Sequence, residues 1–380
     1  MNDNNVPDDP LIKDVVRRSV GIWTSEDPCP EITERISEGY RVYVMRKWMF
    51  IAACIAATAV AVGYSVTIGN YHIPFTDVYG IIWAHLTGDV GNPTEDSIVF
   101  NLRLPRILIA IFSGMGLAVA GAVMQSTLMN PLADPYTTGL SSGAGLGATI
   151  AIVTGISLGM GRYGIVTNAF LFALIPMFVI LFVSKIKNSS PTTMIMAGIA
   201  VMYIFNAFST MLSLWAEPEK LQRVYEWTVG SLALADKADL PIMAVSVTVC
   251  LVVLQLISGR LDILSLGDEN AKSLGVDAEN LRMACLVIVT FLTASIVSFT
   301  GLIGFIGLVA PHIVRIVIGP DNRYLLPASA AFGAMFLVIA DAAGRVLFAP
   351  AIIQVGVITA MLGGPLFLWL VLKRNSVVWG

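Results

Sequence analysis

Charge is what this 380-residue sequence has least of: Asp, Glu, Lys and Arg together make up 13% of it, against roughly a quarter in soluble globular chains. With 56% hydrophobic residues and a mean hydropathy of +0.78, a water-soluble fold is excluded. No GxxxxGK[ST] phosphate loop, no HExxH and no histidine pair at helical spacing occurs, so ATP hydrolysis by a phosphate loop and zinc-hydrolase chemistry are excluded too. The four cysteines, Cys29, Cys54, Cys250 and Cys285, show neither CxxC nor metal-type spacing; three fall in or beside apolar runs and read as buried thiols. Of the three histidines, His312 lies in an apolar run and reads as a packing residue, while His72 and His85 lie in a polar interval. The net charge of −3 includes no basic block, which leaves no electrostatic case for a nucleic-acid partner. No metal site and no resident cofactor is expected.

What the sequence has is apolar runs of membrane-crossing length, about 17 to 25 residues each. Ten candidates occur, at 48–68, 107–124, 138–156, 165–183, 194–215, 240–257, 283–299, 303–318, 325–347 and 351–372. Gly301, Gly304 and Gly307 punctuate the stretch joining the seventh and eighth. The expected fold is all-α and polytopic, with a polar tail over 1–47 and one membrane domain over 48–380. The tail carries Pro7, Pro10, Pro28 and Pro30 and lacks the apolar core of a cleavable signal peptide; a short amphipathic helix is expected over 31–43. With the amino terminus inside, ten crossings return the carboxyl terminus inside. Of the 23 Lys and Arg residues, only Arg103, Arg106, Arg162, Lys220, Arg223, Lys237 and Arg345 then fall outside, in keeping with the positive-inside rule. The runs SGMGLAVAGAVM and LSSGAGLGATIA carry small residues at spacings that let helix backbones approach closely.

Three sets of polar residues stand out. The RLPR segment places Arg103 and Arg106 before the second run, facing outer water at the interface. Arg345, one turn after Asp341, joins them on that side. These arginines either snorkel to lipid phosphates or receive carboxylates from a soluble partner. Next, the inner loop 261–282 contains DENAKSL between Gly267 and Gly275. Asp268 and Glu269 suit a helix start, and Ala271 and Leu274 make a small apolar stripe. The loop is either simply structured or a surface helix that enters a groove of another protein. Finally, the inner turns MNPLADP and NSSPTTM offer Asn130, Leu132, Thr192 and Thr193; turn chemistry explains both, and a gate is the sharper alternative.

The segments RLPRILIAIFSGMGLAVAGAVMQSTLMNPLADPYTTGLSSGAG, GDENAKSLGVD, GLIGFIGLVAPHIVR and DAAGR together resemble the FecCD-type permease subunits of ABC importers for ferric siderophores, haem and cobalamin. The resemblance covers essentially everything after residue 47. It implies a homodimer of ten-helix subunits in the cell membrane around a central path, with two cytoplasmic subunits that bind ATP and Mg²⁺ and an extracytoplasmic substrate-binding protein. It implies that Arg103, Arg106 and Arg345 dock that protein. By the same likeness, the loop containing Gly267, Asp268, Glu269, Ala271, Leu274 and Gly275 couples to the ATPase, and Asn130, Leu132, Thr192 and Thr193 line the inner gate. The long polar tail departs from the usual family start. An ion-coupled secondary transporter is the alternative from another class, with Asp341 and His312 as its only intramembrane candidates. Among substrates, cobalamin and iron chelates rank equally, ahead of haem and oxyanions such as molybdate.

Overall fold

A computed structural model describes residues 30–69, 71, 73–89, 91–187 and 190–373. Cys29, His72 and most of the polar tail lie outside the described residues. Contacts divide the chain into units Met1–Met49 and Phe50–Gly380. The helix expected over 31–43 is no separate element: α1 runs unbroken over Pro30–Thr67. It is followed by α2 (Phe75–Thr87), α3 (Pro93–Ile98), which continues through a π-helical turn (Val99–Arg103) into α4 (Leu104–Thr127), then α5 (Leu140–Thr154), α6 (Tyr163–Lys187), α7 (Pro191–Leu214) and α8 (Pro218–Val229). The chain closes with α9 (Leu240–Leu256), α10 (Ser258–Leu264), α11 (Asp268–Ser273), α12 (Ala278–Thr300), α13 (Ile306–Ile318), α14 (Asn322–Val346) and α15 (Val355–Lys373). No strand occurs among the described residues.

Local chemistry sets the boundaries. Ser190, Asp277 and Asp321 accept backbone N–H donors at the starts of α7, α12 and α14, satisfying groups that a helix start leaves unpaired. Every one of the ten apolar runs falls on a helix. Seven described helical stretches are long and apolar enough to cross a bilayer, while Leu140–Thr154, Ile306–Ile318 and Val355–Trp369 are shorter. At about 1.5 Å per residue the first two span roughly 20 Å, well short of the roughly 30 Å hydrocarbon layer, whereas the third is part of α15, which continues to Lys373. Glycine explains two of them: Gly139 and Gly155 flank α5 at φ 83° and 74°, and Gly301 at φ 70° ends α12, ahead of the non-helical residues Leu302–Phe305.

The outer face of the bundle is oily. Phe178, Phe182, Tyr203, Val245 and Val249 are each at least half exposed, an arrangement suited to lipid rather than water. At the centre lies α4, in a span whose most apolar window is 78% buried. Its glycines bring backbones together. A Cβ added at Gly114 would fall on the Gly333 carbonyl of α14, and one added at Gly121 on the Gly307 carbonyl of α13.

Irregular backbone is folded inside this bundle. The segment 128–139 turns back from the end of α4, so that Gly139 meets Pro176 in mid-α6 and the Gly198 carbonyl in α7. Tyr136 Oη donates to the Ile303 carbonyl at 3.0 Å. Asp134 lies against Gly307 and accepts at 2.8 Å from the Tyr136 N–H. Non-helical backbone at membrane depth is tolerated only where protein or a water-filled cavity supplies partners, and here the two irregular segments partner each other.

Because the α4 contacts are backbone to backbone, neighbouring side chains cannot relieve them. Gly121→Ala is expected to cost about 1–3 kcal/mol, read as a fall in unfolding temperature in detergent. Gly80→Ala in α2, where an added Cβ meets nothing within 4 Å, should leave it unchanged or slightly raised.

Candidate functional site

The two ends of the bundle carry separate polar systems. At the end where α4 begins, Arg103, Arg106 and Arg345 form a cluster, and two of them, Arg103 and Arg345, reach the last turn of α1. Arg103 is 8% exposed and donates to the Val66 and Tyr71 carbonyls. Arg345 donates to the Ser65 carbonyl at 3.3 Å and to the Ser65 hydroxyl. Helix-end carbonyls lack intrahelical donors, and a guanidinium can supply several N–H groups at once. Between the arginines sits Asp341, whose side chain is 2% exposed. It accepts from Arg106 at 2.8 and 3.1 Å and lies 3.1 Å from Arg345 Nε. The expected pair of water-facing guanidiniums is therefore corrected: Arg103 points inward to cap α1, and Arg106, with 21% of its side chain exposed, is the more open of the two.

At the opposite end, Gly267 and Gly275 adopt φ 99° and 80°, a region that costs L-residues strain, and they bracket α11 as expected. The direction of the helix differs from expectation. Ala271 is fully buried, in a cluster with Leu264 and Ala278; six residues make fewer than two turns, so the spacing of Ala271 and Leu274 did not define a shared face. The outward apolar residues are Leu266 and Leu274, 58% and 59% exposed. Glu269 is exposed. Asp268 is 2.6 Å from the buried guanidinium of Arg282, which also donates to the Thr127 carbonyl at 3.3 Å. Nearby, Asp262 accepts two bonds from Asn322 at 2.8 Å; burial pushes its carboxyl up from the usual range, against the pull of those donors.

The expected gate residues lie on neighbouring elements at this end. Asn130 accepts from the Leu132 N–H at 2.9 Å and leaves Leu132 53% exposed. Thr192 is exposed, and the Thr193 hydroxyl is 2.8 Å from that of Ser190. Segment 128–139 packs on α7 through Thr138 and Gly198, so both turns share one support. Along α7 runs a groove of about 290 Å³, lined by Ser141, Ser142 and Thr149 of α5, Asn206, Ser209 and Thr210 of α7 and Thr228 of α8, with no ionisable residue in its lining. Only 11% of the most apolar window of α7 is buried, fewer than for any other long span.

Residues 45–373 match the model of the FecCD transport family. The chain belongs to that family. It is 39% identical over 282 residues to the hemin transport system permease of Yersinia pestis, covering 73% of this chain and 84% of that one. Its identity to the cobalamin import system permease of Halobacterium salinarum is 36% over 331 residues, covering 85% and 88%. Among solved structures it is similar to an inward-facing metal-chelate type ABC transporter, with a TM-score of 0.76 and 30% identity over 85% of this chain and 99% of that one. As a FecCD permease, the chain is a multi-pass membrane subunit of an ABC importer without an ATPase site of its own, and ATP is hydrolysed by a separate subunit.

Several features of this FecCD chain go beyond the sequence-based expectations. The reach of Arg106 to Asp341 spans 235 positions, so no local spacing signals it. Arg282 counts in the sequence only as a flanking charge. The groove did leave a trace: Asn206, Ser209, Thr210 and Ser213 recur at three- and four-residue steps within an apolar run, which is one face of a helix.

Removing Asp341 leaves Arg345 and Arg106 facing each other without a counter-charge. Asp341→Ala is expected to cost about 3–5 kcal/mol of stability, with Arg106→Met costing less, since its head is partly open to water. Thermal unfolding of the purified variants in detergent checks the order.

Proposed function

We propose that two copies of this chain form the membrane channel of an ATP-driven importer for a metal chelate, either an iron chelate, haem or cobalamin. The observation that carries this reading is the uncharged, hydroxyl-lined groove on the least buried long helix, α7. A helix so little covered within its own chain has room for a second copy, and polar groups on it have reason to face a path rather than lipid. An uncharged hydroxyl and amide lining can exchange hydrogen bonds with a large, polar ligand without holding it as a fixed ion pair would. The hemin and cobalamin relatives favour the same substrate class. Selection among substrates then falls mainly to an extracytoplasmic binding protein.

In this reading the arginine end faces outward and the glycine-bracketed helix faces the cytoplasm, with both termini inside, as the distribution of Lys and Arg favours. Arg106 and Arg345 meet carboxylates of the binding protein, while Arg103 supports them by holding the end of α1. Leu266, Glu269 and Leu274 form the face that enters a cleft of a cytoplasmic ATPase, which holds ATP and Mg²⁺. Asn130, Leu132, Thr192 and Thr193 close the inner mouth. A packed bundle switches between discrete arrangements, so closure of the two ATPases moves the paths between outward-open and inward-open states.

Proteoliposomes carrying the permease, its ATPase and its binding protein should accumulate labelled cyanocobalamin, haem or a ferric siderophore, and cysteines placed at Ile204 or Phe208 should cross-link two copies. Accumulation of molybdate alone, or absence of any cross-link between copies, would count against the proposal. Docking is checked separately: Arg106→Gln should lower stimulation of ATP hydrolysis by the binding protein, whereas Arg103→Gln should chiefly lower stability. Leu274→Glu, on the exposed face, should weaken binding of the ATPase without changing the unfolding temperature. Ala271→Arg would instead disrupt the fold locally and so says nothing about docking.

A further inference from the structure

The last turn of α4 receives two polar chains from the loop segment 261–282. In the first, Ser126 Oγ donates to Asn322 Oδ1 at 3.0 Å, and Asn322 donates from its backbone N and its Nδ2 to Asp262 Oδ1, both at 2.8 Å. Ser126 is 4% and Asn322 1% exposed. Asp262 belongs to α10, which leads directly into the glycine-bracketed helix. In the second, Arg282 Nε donates to the Thr127 carbonyl at 3.3 Å while its Nη2 sits 2.6 Å from Asp268, the first residue of α11. Two adjacent residues of α4 are thus each tied to a carboxylate of the same short segment.

The chain immediately beyond them is the 129–133 turn, which is fastened to α4 through its backbone. The Asn130 N–H donates to the Gln125 carbonyl at 3.1 Å, and the Ala133 N–H donates to the Asn130 carbonyl at 3.0 Å. Met129, at φ 48°, turns the chain sharply in a conformation uncommon for a residue with a side chain. Apolar packing is non-directional, whereas a hydrogen bond weakens steeply when its angle opens. Hydrogen-bonded links that end on the Asp262 and Asp268 carboxylates therefore hold the register of the two segments by direction as well as by contact.

We propose that Asp268–Arg282–Thr127 and Asp262–Asn322–Ser126 are the two links by which movement of the glycine-bracketed helix reaches the 129–133 turn. Arg282 and Asn322 are positioning residues for the gate, contacting neither ATP nor substrate. This rests on the reading that α11 meets an ATPase.

The test uses the full permease–ATPase complex in liposomes, with Cys29 replaced by Ser and a spin label on Leu132→Cys, a position 53% exposed. The readout is the change in the label's spectrum on adding Mg²⁺, ATP and vanadate, together with the rate of ATP hydrolysis. In Asp268→Asn combined with Asn322→Leu, the spectral change per ATP hydrolysed should fall at least about fivefold, and Asp268→Glu should restore most of the response. Asp268→Asn alone, at a side chain nearly half exposed, keeps the test open if the double variant does not fold. A response equal to that of the unsubstituted complex in the variants would overturn the links. A complex without these variants whose label ignores nucleotide would overturn the functional reading itself, and the links with it.

Discussion

Backbone contact between α4 and its neighbours, at Gly114 with Gly333 and at Gly121 with Gly307, is the constraint on which the rest of the structure depends. In lipid no hydrophobic force draws one apolar helix to another, so close approach of small residues, with the dispersion contacts it allows, supplies much of the cohesion. These contacts fix the height of α4 against both α13 and α14. Once its height is set, so are the positions of its two ends, and both ends carry the polar chemistry.

Those ends obey one rule. A charge or backbone group taken out of water must find a partner, and the partners available at an end of the bundle belong to other helices. At one end, Asp341 compensates two arginines while Arg103 and Arg345 serve the carbonyls that close α1. At the other, Arg282 and Asn322 tie α4 to the segment containing α11. The arginine cluster is therefore a structural joint as well as a candidate docking surface. Any partner carboxylate competes with Asp341 and with carbonyls of the chain itself, which favours Arg106, the more exposed guanidinium.

The apolar runs and the glycines at 267 and 275 were legible in the sequence because each follows from a local rule: hydrocarbon thickness in one case, left-handed backbone in the other. Direction was less legible. Ala271 turned inward because neighbours at Leu264 and Ala278 complete a cluster that a six-residue helix cannot announce by its periodicity. Arg103 turned inward because carbonyls at the end of α1, far away in the chain, offered a better partner than water. The shortness of α5 and α13 has the same origin, since the segments 128–139 and 301–305 find their partners in each other and in helices distant in the chain, as where Tyr136 reaches Ile303 and Gly139 meets α7. The groove residues of α7 were within reach of helical spacing, but hydroxyls in an apolar run are also common packing residues.

What drives the movement is the most direct question to put to this permease. Uptake into proteoliposomes containing the permease, its ATPase and its binding protein can be followed with ATP present and all ion gradients collapsed, and again with a gradient imposed and no ATPase. An ATP-powered channel accumulates substrate in the first condition and not in the second. Accumulation driven by the gradient alone would contradict it and move Asp341 from a structural joint to an ion-carrying role.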